Sequence, residues 1–287
     1  MVSAQVRREA AWYAISRKIS QRRACALLQV SRSSLRYELR KPSKDAPVLE
    51  AMGALSGIYP RFGSRRVRVL LGRDGIKIGK ERCARLWAQA GLQVPKKRRR
   101  RRVAHTRPRV PMPMARNTVW SYDFVFDACA NGQQLKCLTV VDEYTRECLA
   151  INVAGSIRSH HVIDVLSRLI SLHGAPRYIR SDNGPEFVSA RLLGWASDER
   201  IETVFIDPGK PWQNGTNESF NGKFRDECLA AEWFRNRVEA KIVIEDWRVH
   251  YNEVRPHSSL NYQTPGEFRR ANENRLTPAI VSNVAWS

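Results

Sequence analysis

The sequence predicts a chain of two unlike halves: an all-helical, strongly basic front, and an α/β layer built on a mixed five-stranded sheet flanked by helices. Three observations carry this. Charge is divided along the chain: residues 1–111 hold 29 Lys and Arg against 6 Asp and Glu, a net of +23, whereas residues 112–287 hold 20 against 22, a net of −2, which together give the chain's +21. Apolar residues in the front recur at helical spacing, and from Val119 onward they gather into runs of β-formers. The order of those runs, βββαβαβ and then helices, suits three antiparallel strands followed by parallel ones.

The totals exclude some classes. At 287 residues with 43% hydrophobic content the chain can bury two cores. No run of 18 or more apolar residues is present, so no membrane span is expected. Met1 to Glu9 has no apolar stretch of the secretory type, which sets a cytoplasmic expectation. The cysteines at 25, 83, 129, 137, 148 and 228 form no C-x-x-C pair and are expected to be buried thiols.

In the front, residues 4–16 read as a helix with Val6, Ala10, Tyr13 and Ala14 inward. Ser20 caps a helix over 21–28, with Ala24, Leu27 and Leu28 as its apolar positions. After the turn Gln29-Val30, Ser31 caps a second helix over 32–39. Helix, short turn and basic-polar helix is the pattern of a helix-turn-helix, and Arg32, Ser33 and Arg36 are its candidate DNA contacts. Residues 42–47, bracketed by two prolines, read as a linker. A second unit follows, with helices from Ser64 (Val67, Leu70, Leu71 inward) and over 80–90 (Cys83, Leu86, Trp87, Ala90 inward); Arg65 and Arg66 are further candidate DNA contacts. Lys96, Lys97, Arg98, Arg99, Arg100, Arg101 and Arg102 repel one another too strongly to pack, and form an arm suited to phosphates. The expected units are 1–45, 46–95, a basic linker over 96–115, a core over 116–230, and an extension over 231–287.

In the core, strands are expected over 119–128, 135–141, 148–153, 178–180 and 202–206, with helices over 159–173 and 188–200. A further helix starts near Trp212, and another spans 234–250 with Val238, Ile242 and Trp247 inward. Residues 251–265 are expected to be a turn-rich return. The acids then stand out by position. Asp182 falls where a strand ends in the turn Asn183-Gly184-Pro185, and Glu218 lies on a helix with 35 residues between the two acids. Asp123 sits in the middle of the first strand, where a carboxylate is costly unless paired or bound to metal. Asp127 shares its face as a rival, with Glu186 and Asp142 behind. Three acids from separate elements would make a hard-oxygen site for two Mg²⁺ or Mn²⁺ ions. Asn183, Gln213, Asn214, Lys223 and Arg225 are placed to meet DNA beside it. His257, in a loop beside Pro256, is expected to be structural.

Together these residues carry a resemblance. Trp120-Ser121-Tyr122-Asp123-Phe124, then Ser181 through Phe187, Pro211-Trp212-Gln213-Asn214-Gly215 through Phe220, and Tyr251-Asn252-x-x-Arg255-Pro256-His257-Ser258-Ser259-Leu260 with Thr264-Pro265 follow one another as in DDE-type insertion-sequence transposases. The chain resembles the second-frame, catalytic product of two-frame bacterial elements, within the retroviral-integrase catalytic-core superfamily. The resemblance implies an RNase H-like catalytic core with Asp123, Asp182 and Glu218 as catalytic metal ligands. It implies cleavage at element ends and joining of the freed 3′-hydroxyl to another strand. Its implied partners are double-stranded DNA, further copies of the chain in a synaptic complex, and the first-frame protein of the element; the implied location is the bacterial cytoplasm at the nucleoid. A catalytically inactive DNA-binding regulator and a ribonuclease H-type nuclease are the alternatives.

Overall fold

A computed structural model of the chain describes residues 3–37, 40–95, 112–182, 184, 186–205 and 215–280. Six helices precede the sheet. The first three, α1 (Ala4–Ser16), α2 (Gln21–Leu27) and α3 (Arg32–Arg36), begin at serines. Ser20 and Ser31 accept the Arg23 and Ser34 amides at 3.4 and 3.0 Å, as their positions before apolar-periodic runs require. The faces differ from expectation by about one residue. Val6, Tyr13 and Leu27 are exposed, while Ala11 packs with Cys25, Val30 and Leu35. Apolar residues occur on both sides of these short helices, so periodicity alone does not choose the inward side.

The expected linker over 42–47 is helical. Helix α4 (Arg40–Ile58) runs through Pro47. Tertiary contacts outweigh the proline penalty there: Asp45 accepts from Arg82 at 2.6 Å and from Arg85 at 2.8 Å, and Val48 and Met52 are buried. Helices α5 (Ser64–Arg73) and α6 (Lys80–Gln89) complete this second core through Val67, Leu70, Leu71, Cys83, Leu86 and Trp87.

The sheet comprises β1 (Val119–Ala128), β2 (Gln134–Asp142), β3 (Cys148–Ala154), β4 (Tyr178–Ser181) and β5 (Glu202–Phe205). Its spatial order is β3-β2-β1-β4-β5, with β1–β2 and β2–β3 antiparallel and β1–β4 and β4–β5 parallel. The long apolar strand β1 is therefore central, flanked by one partner of each sense. Helices α7 (Ser159–His173) and α8 (Ala190–Asp198) cover one face, packing on Trp120, Tyr122, Leu138 and Val140. The other face meets α9 (Gly215–Phe224), a single π turn (Arg225–Leu229) and α10 (Arg237–Glu253), through Val125, Cys137, Val141, Phe220, Phe224 and Ile244. On α10 the inward residues are Ala240, Ile244 and Tyr251, with Trp247 packed beside them; Val238 and Ile242, expected inward, are 70% and 60% exposed. All six cysteines are buried thiols.

The turn-rich return is a set of latches. Asn252 accepts the Cys148 amide at 2.9 Å and donates to the Cys148 carbonyl at 2.8 Å, matching the backbone of β3 as a neighbouring strand would. Arg255 grips Glu227 with two hydrogen bonds of 2.6 and 2.5 Å, and Arg66 of α5 reaches the same carboxylate at 3.5 Å. His257 lies against the Tyr251 carbonyl, and burial pushes its pKa down to about 2, so it stays neutral and structural. A last helix, α11 (Pro265–Ile280), begins where the turn-rich return ends, in a stretch for which no element was expected. Thr264 and Glu267 form a capping box, each side chain accepting the other's amide at 3.0 and 2.7 Å. Arg73 then ties α5 to α11 through Glu267 at 2.9 Å.

The Asn252 latch gives a direct test. Asn252→Ala strands the buried Cys148 amide, while Arg248 still donates to the Cys148 carbonyl at 3.0 Å. The expected loss is about 1–3 kcal/mol of unfolding free energy, read as a lower urea midpoint with an unchanged slope.

Candidate active site

Strand alternation turns Trp120, Tyr122 and Phe124 toward α7 and α8, and Asp123 with Val125 toward α9. The parallel pairing of β1 with β4 runs Val119 to Tyr178, Trp120 to Ile179 and Ser121 to Arg180. Continued by two residues, that register sets Asp123 level with Asp182, where β4 ends. The two carboxylates feel each other. Burial first, and the Asp182 charge with it, push the Asp123 pKa up to about 6, against the pull of the Phe124 amide, Arg225 and Asn221.

Asp123 is also held in place. Its Oδ1 accepts the Phe124 amide at 2.8 Å and its Oδ2 accepts Asn221 Nδ2 at 2.9 Å. Thr139, opposite Asp123 on β2, donates its hydroxyl to Asn221 Oδ1 at 3.1 Å. Central strand, neighbouring strand and α9 thus converge on one carboxylate. Asp182 is fixed by its own turn, accepting the Gly184 amide at 3.0 Å. A Cβ at Gly184 would stand 3.1 Å from Asp182 Oδ1, so the turn favours glycine. Beneath it, Phe187 stacks on Phe124 at 4.7 Å and meets Tyr122 edge-on, while the fully buried pair Arg180–Glu143 closes the strand end at 2.7 Å.

Glu218 lies one turn before Asn221 on α9 and is exposed. Among the described residues, no group of three or more His, Cys, Asp and Glu stands close enough to hold a metal ion. The structure therefore brings Asp123 and Asp182 together and leaves Glu218 at the rim. The rivals are occupied elsewhere. Asp142 is buried and accepts the amides of Asn117, Tyr144 and Thr145, Glu186 pairs with Lys136, and Asp127 sits at the far end of β1 beside Cys129.

The expected DNA contacts divide in the same way. Arg32, Ser33 and Arg36 lie on exposed α3, where Arg36 donates to Gln21 at 3.1 Å, and Arg65 is exposed on α5. Arg66 packs over the Phe62 ring at 5.2 Å while reaching Glu227, so its guanidinium is engaged inside the protein. Arg225 is exposed on the Glu218 side and acts on Asp123 electrostatically. Lys223 faces away from it, donating to Ser219. Lys96, Lys97, Arg98, Arg99, Arg100, Arg101, Arg102, Asn183, Gln213 and Asn214 lie outside the described residues. Sequence reasoning missed Thr139 and the grip of Asn221 on Asp123. Helical spacing places Asn221 one turn from Glu218 on the same side of α9, and an amide at a buried helix position is the available signal.

With this geometry in view, comparison with known proteins gives a consistent answer. Two integrase core domain family models match, over residues 113–211 and 199–265. An uncharacterized 31.7 kDa protein of insertion element IS407 from Burkholderia multivorans is 46% identical over 251 residues, covering 87% of this chain and 90% of that protein. An uncharacterized 39.2 kDa protein of insertion element IS476 from Xanthomonas euvesicatoria is 41% identical, covering 87% and 72%. The transposase InsD of IS2D from Escherichia coli is 28% identical, covering 85% and 88%. Among solved structures, the catalytic core domain of BIV integrase matches at 19% identity and a TM-score of 0.45, over 56% of this chain and 99% of that one. The integrase core domain matches and the insertion-element relatives support a polynucleotidyl-transferase class of core. The chain belongs to the insertion-element transposases that carry the integrase core domain, within the retroviral-integrase-like superfamily.

The crowding at Asp123 makes a prediction about stability. A carboxylate whose folded pKa is raised above its unfolded value costs stability above the folded pKa, and costs nothing below the unfolded one. Asp123→Asn is therefore expected to stabilise the protein at pH 7.5 by up to about 3 kcal/mol, with the gain vanishing by pH 3.5. Urea unfolding of both proteins at the two pH values reads this.

Proposed function

We propose that the chain cuts DNA at the ends of an insertion element and joins the freed 3′-hydroxyl to a second DNA strand, with Asp123, Asp182 and Glu218 holding two Mg²⁺ or Mn²⁺ ions. The observation that carries this reading is the level placement of Asp123 and Asp182 on adjacent parallel strands, at the sheet end where α/β folds set their sites. Two carboxylates this close repel, and a divalent cation relieves that repulsion with the hard oxygen donors it prefers. The donor set fits such ions at two of its three positions. Glu218 is the third in this reading, on a helix whose next turn already touches Asp123. Bound there, the ions would supply positive charge to an attacking oxygen and to the departing one.

The chain's own residues do the rest. Asn221 and Phe124 orient Asp123, the Gly184 turn orients Asp182, and Arg225 lies beside them for a phosphate. Helix α3, exposed Arg65 and the basic stretch over 96–102 favour binding of duplex DNA over a long track. Two ends must be held at once for transposition, so a homo-oligomeric synaptic complex is part of the proposal, with the element's first-frame protein as a further partner.

The test is strand transfer with element-end oligonucleotides in Mg²⁺. Asp123→Asn, Asp182→Asn and Glu218→Gln are each expected to lower the rate by about a thousandfold or more while duplex binding persists. Wild-type protein that binds DNA without cutting it would instead point to a regulator. Cutting of RNA in hybrids without joining would point to a ribonuclease H-type nuclease.

A further inference from the structure

The helix that bears Glu218 has a second polar side. At about 100° per residue, Glu218 and Asn221 lie on one flank of α9, with Arg225 following at the start of the π turn, and Thr216, Ser219 and Lys223 lie on the other. The second flank opens on a cavity of about 420 Å³, whose wall is completed by Arg146, His257 and Ser259. Two cations and several hydroxyls line it, and among the described residues no carboxylate does.

The cations are built in. Arg146, in the turn between β2 and β3, holds a left-handed backbone (φ 63) that costs a non-glycine residue energy, and donates to Thr216 at 2.7 Å. Lys223 donates to the Ser219 carbonyl at 2.9 Å and to its hydroxyl at 2.7 Å. Burial, then Arg255, Arg66 and Arg146, push Lys223 down to about 8, with Glu227 alone among the strongest influences opposing them. His257 adds no charge, since it stays neutral, and Tyr251 beside it is pushed up by burial and is neutral too. Among the described residues that act most strongly on Lys223, three cations stand against one carboxylate, beside the backbone amides that open α9.

We infer that this cavity seats a backbone phosphate of the bound DNA, gripped by Arg146 and Lys223 on the flank of α9 opposite Glu218. The inference rests on DNA being the substrate. It gives α9 two tasks: one side faces the reacting carboxylates, and the other anchors the strand that passes behind them. A phosphodiester matches the recess in charge and in its fork of acceptor oxygens, and the volume admits the flanking sugar.

The test is equilibrium binding of the full chain to a duplex oligonucleotide without divalent metal, between about 50 and 300 mM salt. Arg146→Gln and Lys223→Gln are each expected to flatten the plot of log affinity against log salt by about 0.9, the loss of one phosphate contact. Lys223→Arg should keep the wild-type slope. Wild-type affinity should also fall as pH rises from 7 to about 9.5, as Lys223 loses its proton, and Lys223→Arg should be flat over that range. Thermal melting confirms folding; if Arg146→Gln fails to fold, Lys223→Gln and the pH profile decide. Unchanged slopes in folded variants overturn the proposal. So does a melting shift by inorganic phosphate that depends on Lys223 without any change in the DNA slope, which would assign the cavity to a free anion. Because no metal is present, a failure of strand transfer leaves this result standing, and the reverse also holds.

Discussion

One carboxylate holds the halves of this protein in register. Glu227, on the π turn that follows α9, takes two hydrogen bonds from buried Arg255 and a longer one from Arg66. Those three residues come from the core, the return after α10, and the second helical unit. A buried pair of this kind adds little net stability over apolar packing, but losing one partner leaves a charge stranded, which costs on the order of 3–5 kcal/mol. Its effect is on placement. With Glu227 pinned, the π turn is pinned, and α9 before it is held in its rotation against β1. That rotation sends Asn221 to Asp123 and Thr216 to Arg146. Around the hub, Tyr59 stacks on His250 at 5.2 Å, and Arg255 lies over the Phe62 and Tyr251 rings at 5.7 Å. The helical front is thereby joined to the core through aromatic surface as well as charge.

The electrostatics of the site follow from the sheet. Backbone register brings half-buried Asp123 level with Asp182, which is exposed where β4 ends. The architecture accepts a raised Asp123 pKa as the cost, and spreads the restraint over Phe124, Asn221 and Thr139. Glu218 stands outside that restraint on exposed helix, where its side chain keeps its rotamers.

Much of this was legible in the residues. Strand β1 and helix α7 coincide with the expected spans because their patterns are long and one-sided, with Val162, Val165, Leu166 and Leu169 all inward. Asp123 and Asp182 stood out because an acid in a central strand and an acid in a strand-end turn each call for a reason. Other features were hidden by competing signals. Pro42 and Pro47 read as linker because the contacts that stabilise α4 come from Arg82 and Arg85, far along the chain. Helix α10 carries Val238 and Ile242 outside as well as Ala240 and Ile244 inside, so its phase was ambiguous. Helix α11 did announce itself, by Thr264, Pro265 and Glu267 in capping order, within a stretch otherwise rich in turn formers. The Asn221–Asp123 bond depends on the exact roll of α9, which no local pattern encodes.

The Asn252 latch has a consequence of a different kind. Strand β3 is the outer strand on its side of the sheet, and outer strands offer unpaired amides and carbonyls to any passing chain. By filling the donor and acceptor of Cys148, with Arg248 on the same carbonyl, the protein occupies the first rung of that ladder with its own side chains. A sheet closed in this way resists growing by edge-to-edge addition. An occupied rung of this kind works against the fibrous stacking of one core on another.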